Sequence, residues 1–304
     1  MTNFSNTSLS PVENERVEPY SYTERIISIF LLCISIVGLL GNGTVIYLLG
    51  FRIKRSPFTT YILNLAVADF GFLLFGSLLC ILMLIYKMPE IIFDIVNIPA
   101  TFMYVTSQLL LTAISIDRCV SILFPIWYRC HRPTHWSTTV CALIWVLTCL
   151  PPGISAILYI LKDFAIGSGI LYYPLIVSSF LCLPLVTVST AILLFKVSCK
   201  SQQPQRRRLL TIILLTLLFF LIFAFPLSAI NTIYYFYSPK YAILQIYGAI
   251  CTYLNSFVNP VIYYMIGRKK KAQQKEILKV ILQRAFKEEE EDGEEGTTTT
   301  QTEL

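Results

Sequence analysis

The chain has 304 residues, of which 55% are hydrophobic and 14% carry a charge. Soluble domains carry about 25% charged residues, so this composition excludes a water-soluble enzyme, a disordered chain and a coiled coil. The net charge is +6, from 24 basic and 18 acidic residues. Nothing in this composition points to nucleic acid as a partner, and the positions of the charges say more than their sum.

Seven apolar segments are long enough for a helix that crosses a bilayer, which needs about 20 residues. We number them spans one to seven: residues 26–51, 58–86, 91–123, 138–161, 170–197, 209–237 and 241–266. In lipid every backbone polar group must be bonded within the structure, so such runs form helices, and they lack the strict alternation of a membrane barrel. The predicted fold is an all-α membrane protein, a seven-transmembrane helix bundle over residues 26–266.

Lys and Arg are concentrated on one side of the predicted spans. Arg52, Lys54 and Arg55 follow span one, and Arg129, Arg132, Lys200, Arg206, Arg207 and Arg208 follow spans three and five. The positive-inside rule then predicts a multi-pass protein of the plasma membrane with an extracellular N-terminus and a cytoplasmic C-terminus. Residues 1–25 form the outer segment, where Asn3 and Asn6 each begin a glycosylation sequon.

The segment after span seven changes character twice. Residues 267–287 start with a Gly and a basic run and then repeat apolar residues every three or four positions, which predicts a short amphipathic eighth helix on the inner membrane surface, against anionic lipid. Residues 288–304 are acidic and rich in Thr, which predicts a disordered tail. Its last residues include Thr302 and Leu304, a pattern that PDZ domains capture; the alternative is a solvated tail phosphorylated on its Thr run.

The positions of cysteine and histidine give little sign of disulfide bonds or a metal site. None of the nine Cys lies in a predicted outer loop, so we expect no structural disulfide. His131 and His135 are the only histidines, and with no third ligand nearby we expect no zinc site. A membrane protease would need two facing Asp, or Ser with His, within the spans. Asp69 has no acidic partner at its depth and no His lies in a span, so we expect no enzyme activity.

Asp69 is the one acidic side chain predicted near the middle of the membrane. It follows Pro57 by 12 residues, or about 18 Å of helix, and a charge there costs about 2.5–3.5 kcal/mol on insertion scales. Polar partners are available at compatible depth in other spans: Ser107, Asn255, Ser256 and Asn259. Oxygen ligands of this kind suit sodium. A protonated Asp69 bonded to the same groups is the alternative.

Motifs in all seven spans resemble those of the rhodopsin-like G protein-coupled receptors. They are Gly41-Asn42, the run Leu63 to Asp69, Asp117-Arg118-Cys119, Trp145, Pro184, Pro226, and Asn259-Pro-Val-Ile-Tyr263. Within that class, the stretches Leu111 to Cys119 and Pro125 to His135 are similar to those of the Mas-related receptors. The resemblance implies a cell-surface receptor that converts the binding of an extracellular peptide or small molecule into activation of a heterotrimeric G protein, Gq/11 or Gi, and that also meets arrestin.

The resemblance also assigns roles to individual residues. Asp117, Arg118 and Ile126 would couple to the G protein, with Asp117 restraining Arg118 in the resting state, although a merely structural ion pair is the alternative. Asp69 and its four polar partners would hold an allosteric sodium ion, the one cofactor expected. Because Ala224 replaces the Trp of the wider class, the activation switch would use other residues: Phe220, Phe223, Pro226, Asn259, Pro260 and Tyr263.

The ligand is not identified by these motifs. Family members that bind cationic peptides carry an acidic residue where this chain has Ser155, and amine receptors carry Asp where it has Ala100. Neutral peptides, sterol- or lipid-like acids and purines therefore stay open. The alternative function is a multi-span transporter or channel, which would show paired repeats and broken helices around a midplane site.

Overall fold

The computed structural model describes residues 22–53, 55–85, 90–160, 180–195, 214–223, 230 and 242–267. Its helices are α1 (Tyr22–Phe51), α2 (Pro57–Ile85), α3 (Glu90–Leu123), α4 (Pro125–Cys130), α5 (Trp136–Ile160), α6 (Phe180–Phe195), α7 (Leu214–Phe223) and α8 (Ala242–Gly267). Apart from α4, each of these helices overlaps one predicted span, with ends that agree within two residues for α2, α3, α5 and α8. Helix α1 begins four residues before span one, and α6 and α7 lie within spans five and six. No strand occurs in the part of the chain that the structure describes.

Several sequence predictions fall outside the described residues. They concern the glycosylation sites Asn3 and Asn6, the switch residue Pro226, the amphipathic helix after Gly267 and the C-terminal residues Thr302 and Leu304. These stay predictions of the sequence.

Four helices among the described residues are long and apolar enough to cross a membrane: Tyr22–Phe51, Pro57–Ile85, Ile95–Leu123 and Trp136–Ile154. The most apolar stretches of α1 and α2 have a mean hydropathy of 2.3. Large apolar side chains such as Phe30, Val37 and Leu40 are exposed on α1. Such a surface is stable in lipid, because apolar side chains have no hydrogen bonds to lose when acyl chains cover them.

The start of α2 shows how the local sequence ends one span and begins the next. The Thr59 backbone N–H donates to Ser56 Oγ at 3.2 Å, and the Ser56 N–H donates to Thr59 Oγ1 at 2.7 Å. Pro57 occupies the first helical position, where its missing N–H costs nothing. This reciprocal cap satisfies two backbone donors that the first turn leaves open.

Helix α2 lies at the centre of the described bundle, in contact with α1, α3, α5 and α8. Trp145 Nε1 on α5 donates to Asn64 Oδ1 on α2 at 2.9 Å. On the other side, Asn42 Nδ2 of α1 donates to the Ser256 carbonyl of α8 at 3.1 Å. Buried and partly buried polar side chains therefore join α1 to α8 and α2 to α5 at specific positions, in addition to apolar packing.

Apolar packing forms two clusters along the bundle axis. The larger contains Tyr61 and Leu65 of α2 with Leu110 of α3, towards the end of the bundle that carries α4. The smaller contains Phe72 and Leu73 of α2 at the opposite end. We call these the α4 end and the far end. Asp69 lies on α2 between the two clusters, at the level where the predicted span reaches its middle.

Candidate functional site

Asp69 is fully buried and bonded to two other helices. Ser107 Oγ on α3 donates to Asp69 Oδ1 at 2.7 Å, and Asn259 Nδ2 on α8 donates to Asp69 Oδ2 at 2.8 Å. Both donors are neutral. In the part of the chain that the structure describes, no Lys or Arg side chain forms an ion pair with Asp69, so a charge on this carboxyl group has no compensating cation from those residues.

Two further residues predicted for this site, Asn255 and Ser256, lie one turn before Asn259 on α8 and are also buried. The Ser256 hydroxyl is near enough to interact with the Asp69 carboxyl but makes no ordinary hydrogen bond, and Asn255 Nδ2 is buried without a partner in the described structure. The structure therefore brings Ser107, Ser256 and Asn259 to Asp69. It places Asn255 next to Ser256 on α8, without a shown contact to Asp69. We call these five residues the Asp69 cluster.

Asp117 and Arg118 lie near the last turn of α3, where their side chains are each 5% exposed and form an ion pair at 2.7 Å between Arg118 Nη2 and Asp117 Oδ2. The guanidinium of Arg118 also lies over the Phe58 ring of α2, 4.7 Å from its centroid. A cation above an aromatic face is stabilised by the ring. The pair predicted from the sequence is present, and it is covered by a neighbouring helix.

Two residues that the sequence reasoning missed complete this site. Arg132 Nη2 donates to Asp117 Oδ1 at 2.8 Å, and the Tyr128 hydroxyl donates to Asp117 Oδ2 at 2.9 Å. The Tyr128 oxygen in turn accepts hydrogen bonds from Arg118 Nη2, at 3.3 Å, and from Arg132 Nη1. Asp117 is thus bonded by two arginines and a phenol, which we call the Asp117 cluster.

Burial raises the pKa of the Tyr128 phenol, with the neighbouring Asp117 carboxylate adding to the increase. The phenol therefore keeps its proton at neutral pH and can donate to Asp117 while accepting from both arginines. The sequence contains one signal for this arrangement, since Tyr128 and Arg132 are four residues apart in the predicted loop between spans three and four. The loop conformation that brings them back to Asp117 could not be predicted from the sequence.

Ile126 and Tyr128 lie on opposite faces of α4, because side chains two positions apart in a helix point about 200° apart around its axis. Tyr128 turns into the Asp117 cluster, whereas the Ile126 side chain is 78% exposed at the α4 end. The Ile126 side chain is therefore open at the surface of this end.

The remaining predicted switch residues are partly described. Phe220 of α7 is buried, and Phe223 stacks on Phe219 with ring centroids 5.9 Å apart. Tyr263 is buried on α8, and Pro260 lies inside that helix next to Asn259. The structure shows where these side chains are, and it leaves their role in activation a prediction.

The smaller cluster at the far end of the bundle contains buried aromatic residues that carry no charge. The Phe72 ring contacts Tyr253 at 5.1 Å and Tyr104 at 5.8 Å between centroids, and Ala100 is buried in the same cluster. The Tyr253 hydroxyl lies 3.6 Å from Cys80 Sγ. The side chain of Ser155 lies outside the described residues. The described side chains of this buried cluster are thus apolar, with a few hydroxyl and thiol groups.

Comparison with known proteins agrees with this architecture. The sequence model of the family described as 7 transmembrane receptor (rhodopsin family) matches residues 41–263. The Homo sapiens protein named Proto-oncogene Mas is 35% identical over 246 residues, which cover 78% of this chain and 76% of that protein. Mas-related G-protein coupled receptor member H of Rattus norvegicus is 37% identical over 260 residues, covering 84% and 79% of the two chains. Member X3 of Macaca mulatta is 35% identical over 272 residues, covering 86% and 83%.

The matched region contains both buried carboxylates, the last part of span one, spans two to six and span seven as far as Tyr263. The chain therefore belongs to the rhodopsin-like family of seven-transmembrane G protein-coupled receptors, and within it to the Mas-related receptors. The predicted seven-helix class and receptor function are confirmed. The family consists of membrane receptors that couple to heterotrimeric G proteins, not of enzymes.

Proposed function

We propose that this receptor couples to its G protein, of the Gq/11 or Gi class, through the α4 end of the bundle. The observation that carries the proposal is the buried Asp117–Arg118 ion pair beside an Ile126 side chain that is 78% exposed. The receptor then lies in the plasma membrane with its α4 end facing the cytoplasm, as the distribution of basic residues predicts, and with an extracellular N-terminus.

Activation in this proposal is a shift between two arrangements of the helices. In the resting arrangement Asp117 holds Arg118 against α3. A ligand at the far end favours the second arrangement, in which Arg118 is released towards the G protein and Ile126 enters an apolar pocket of that partner. The ligand acts by binding one arrangement more tightly than the other. Ligand and G protein then each raise the affinity of the receptor for the other by the same factor.

We further propose that the ligand enters between the outer ends of the helices and is not a cationic amine. Ala100 is buried beside aromatic residues that carry no charge, and a cation there would lose its hydration without an ionic partner. A neutral peptide, a sterol- or lipid-like acid and a purine all stay compatible with these uncharged side chains. A panel of these compounds, measured by calcium release and cAMP, would identify the class.

The Asp69 cluster is proposed to hold a sodium ion in the resting receptor. Asp69, Ser107, Ser256, Asn255 and Asn259 carry the carboxylate and neutral oxygens that a hard cation prefers, and the Ser256 hydroxyl oxygen, which has no hydrogen-bond partner in the described structure, fits such a ligand. The ion would supply the positive charge that the described neighbours of Asp69 lack. A proton on Asp69 is the alternative.

The coupling proposal is tested by replacing Ile126 with Ala. Burial of a Leu-sized side chain contributes about 1.5–3 kcal/mol, so we expect roughly 10- to 150-fold weaker G protein binding. Nucleotide exchange on purified Gq or Gi, titrated against receptor in lipid discs, measures this change. Leu143→Ala is the matched control, because Leu143 is an exposed apolar residue of α5 away from α4.

Normal G protein affinity in Ile126→Ala, at equal amounts of folded receptor, would contradict the proposal. A parallel loss of surface expression and signal would indicate that Ile126 supports folding instead. The Leu143→Ala control should match the wild type in both measurements.

A further inference from the structure

Helix α4 has only six residues, well below the 12–15 residues at which an isolated helix becomes marginally stable in water. Its N-terminal residue Phe124 makes no side-chain capping hydrogen bond. Contacts with the rest of the protein must therefore hold α4 in shape and in orientation. Its orientation matters because one face carries the exposed Ile126 and the opposite face carries Tyr128.

Arg132, two residues after the end of α4, makes the contacts that meet this need. One terminal nitrogen donates to Asp117 Oδ1 at 2.8 Å and to Ser137 Oγ at 2.7 Å, and the other donates to the Tyr128 hydroxyl. The guanidinium also covers the Tyr128 ring at 4.4 Å from its centroid. A single side chain, 9% exposed, thus joins the ends of α3, α4 and α5.

We infer that Arg132 is a positioning residue that fixes α4 against α3 and α5 and so directs Ile126 away from the bundle. The planar fork of a guanidinium suits this role, because it can donate in several directions at once while its face lies on an aromatic ring. Arg132 acts through Tyr128 and Asp117 and need not touch the G protein itself. The consequence for coupling rests on the proposed role of Ile126, whereas the positioning of α4 does not.

Amide hydrogen exchange of the receptor in lipid discs tests the positioning directly, without any ligand. The Tyr128 N–H donates to the Phe124 carbonyl at 3.0 Å and the His131 N–H to the Trp127 carbonyl at 2.8 Å. In Arg132→Ala we expect both amides to exchange at least about tenfold faster, since hydrogen bonds to charged groups are lost. Amides in α3 and α5 should keep the wild-type rate.

Arg52→Ala is the matched control for the loss of one positive charge at the same end of the receptor. Arg52 donates to Tyr47 within its own segment at 3.0 Å and is exposed, so its removal should leave α4 exchange unchanged. Wild-type exchange of α4 in Arg132→Ala would overturn the inference. Equally faster exchange throughout the bundle would overturn it too, because that pattern indicates a general loss of stability.

Tyr128→Phe keeps the test decisive if Arg132→Ala does not fold. It removes one hydroxyl from the cluster and keeps the ring beneath Arg132. We expect faster exchange in α4 by a smaller factor than in Arg132→Ala. Unchanged exchange in Tyr128→Phe would count against the inference.

A titration of G protein separates this inference from the proposed coupling surface. We expect Arg132→Ala to raise the G protein concentration for half-maximal nucleotide exchange, with little further increase when it is combined with Ile126→Ala. A loosened α4 with unchanged G protein affinity in both single variants would reject the role of Ile126 and keep the positioning role of Arg132. A weakened Ile126→Ala beside a normal Arg132→Ala would reject the inference and keep the coupling surface.

Discussion

The two buried carboxylates of this receptor are held in opposite ways. Asp69 accepts hydrogen bonds from a neutral hydroxyl and a neutral amide on two other helices. Asp117 accepts from two guanidinium groups and a phenol close to it in the chain. Both are buried, yet only the second is paired with cations among the described residues.

This difference separates a site that can change its occupant from one that holds a fixed geometry. A buried carboxylate without a cation is costly, so it binds a cation or keeps a proton, and its state then responds to the surroundings. A carboxylate between two arginines is already compensated, and what it supplies is a defined arrangement of groups. The Asp69 cluster is therefore suited to sensing an ion, and the Asp117 cluster to holding the resting form.

Removing the Asp117 carboxylate should have the largest effect, because it leaves two buried cations without their shared partner. Loss of one partner from a buried pair costs about 3–5 kcal/mol, so we expect Asp117→Ala to unfold at a lower temperature. We also expect a several-fold rise in agonist-free nucleotide exchange at saturating G protein, since Arg118 is released. Because α4 is loosened as well, the G protein concentration for half-maximal nucleotide exchange should rise at the same time.

Asp117→Asn is the matched variant, because it keeps an acceptor for Tyr128 and removes the charge. Its basal exchange should lie between those of the wild type and Asp117→Ala. Lower stability without any rise in basal exchange would show that the cluster supports folding and does not restrain Arg118.

Asp69→Asn tests the other carboxylate through its ion. If the resting receptor binds sodium, its stability in sodium chloride exceeds that in choline chloride by about 2.7 kcal/mol when sodium is 100-fold above its dissociation constant. Asp69→Asn should abolish this difference, whereas Asp117→Asn should preserve it. Thermal unfolding of the purified receptor in the two salts measures both.

Equal unfolding temperatures of the wild type in both salts would reject the sodium site and favour a protonated Asp69. A sodium effect that survives in Asp69→Asn would place the ion elsewhere.

Gly41→Ala should have a smaller effect that is confined to the Asp69 cluster. A Cβ atom at Gly41 would lie 2.9 Å from Cβ of Pro260, which is next to Asn259. The rigid proline ring cannot rotate away, so overpacking should cost about 1–3 kcal/mol. We expect weaker sodium dependence of unfolding, with α4 exchange unchanged.

Gly43→Ala is the control, since its added Cβ would meet Phe70 at an ordinary 3.5 Å. It should unfold at or above the wild-type temperature, because Ala favours a helix more than Gly does. A Gly41→Ala receptor that matches Gly43→Ala in both unfolding temperature and sodium dependence would contradict this prediction. It would show that α1 and α8 can move apart without affecting Asp69.

Much of the fold and part of both sites could be predicted from the sequence. The depth of Asp69 follows from counting residues along one helix, and its neighbours were chosen by the same count. The pairing of Asp117 with Arg118 is a matter of adjacency. Arg132 and Tyr128 escaped prediction because their distance from Asp117 depends on how α4 turns back against α3, which no periodicity in a six-residue segment reveals.

The sequence by itself determined the class of this protein, since the length of an apolar segment, the side on which basic residues lie and the motifs of a family are properties of the chain read locally. Only the tertiary structure decided which groups each carboxylate meets. The bond from Asn259 to Asp69 joins residues 190 positions apart, and it forms only when α2 and α8 pack side by side. The electrostatic difference between the two carboxylates therefore arises from packing, because a charge is compensated by what lies near it in space.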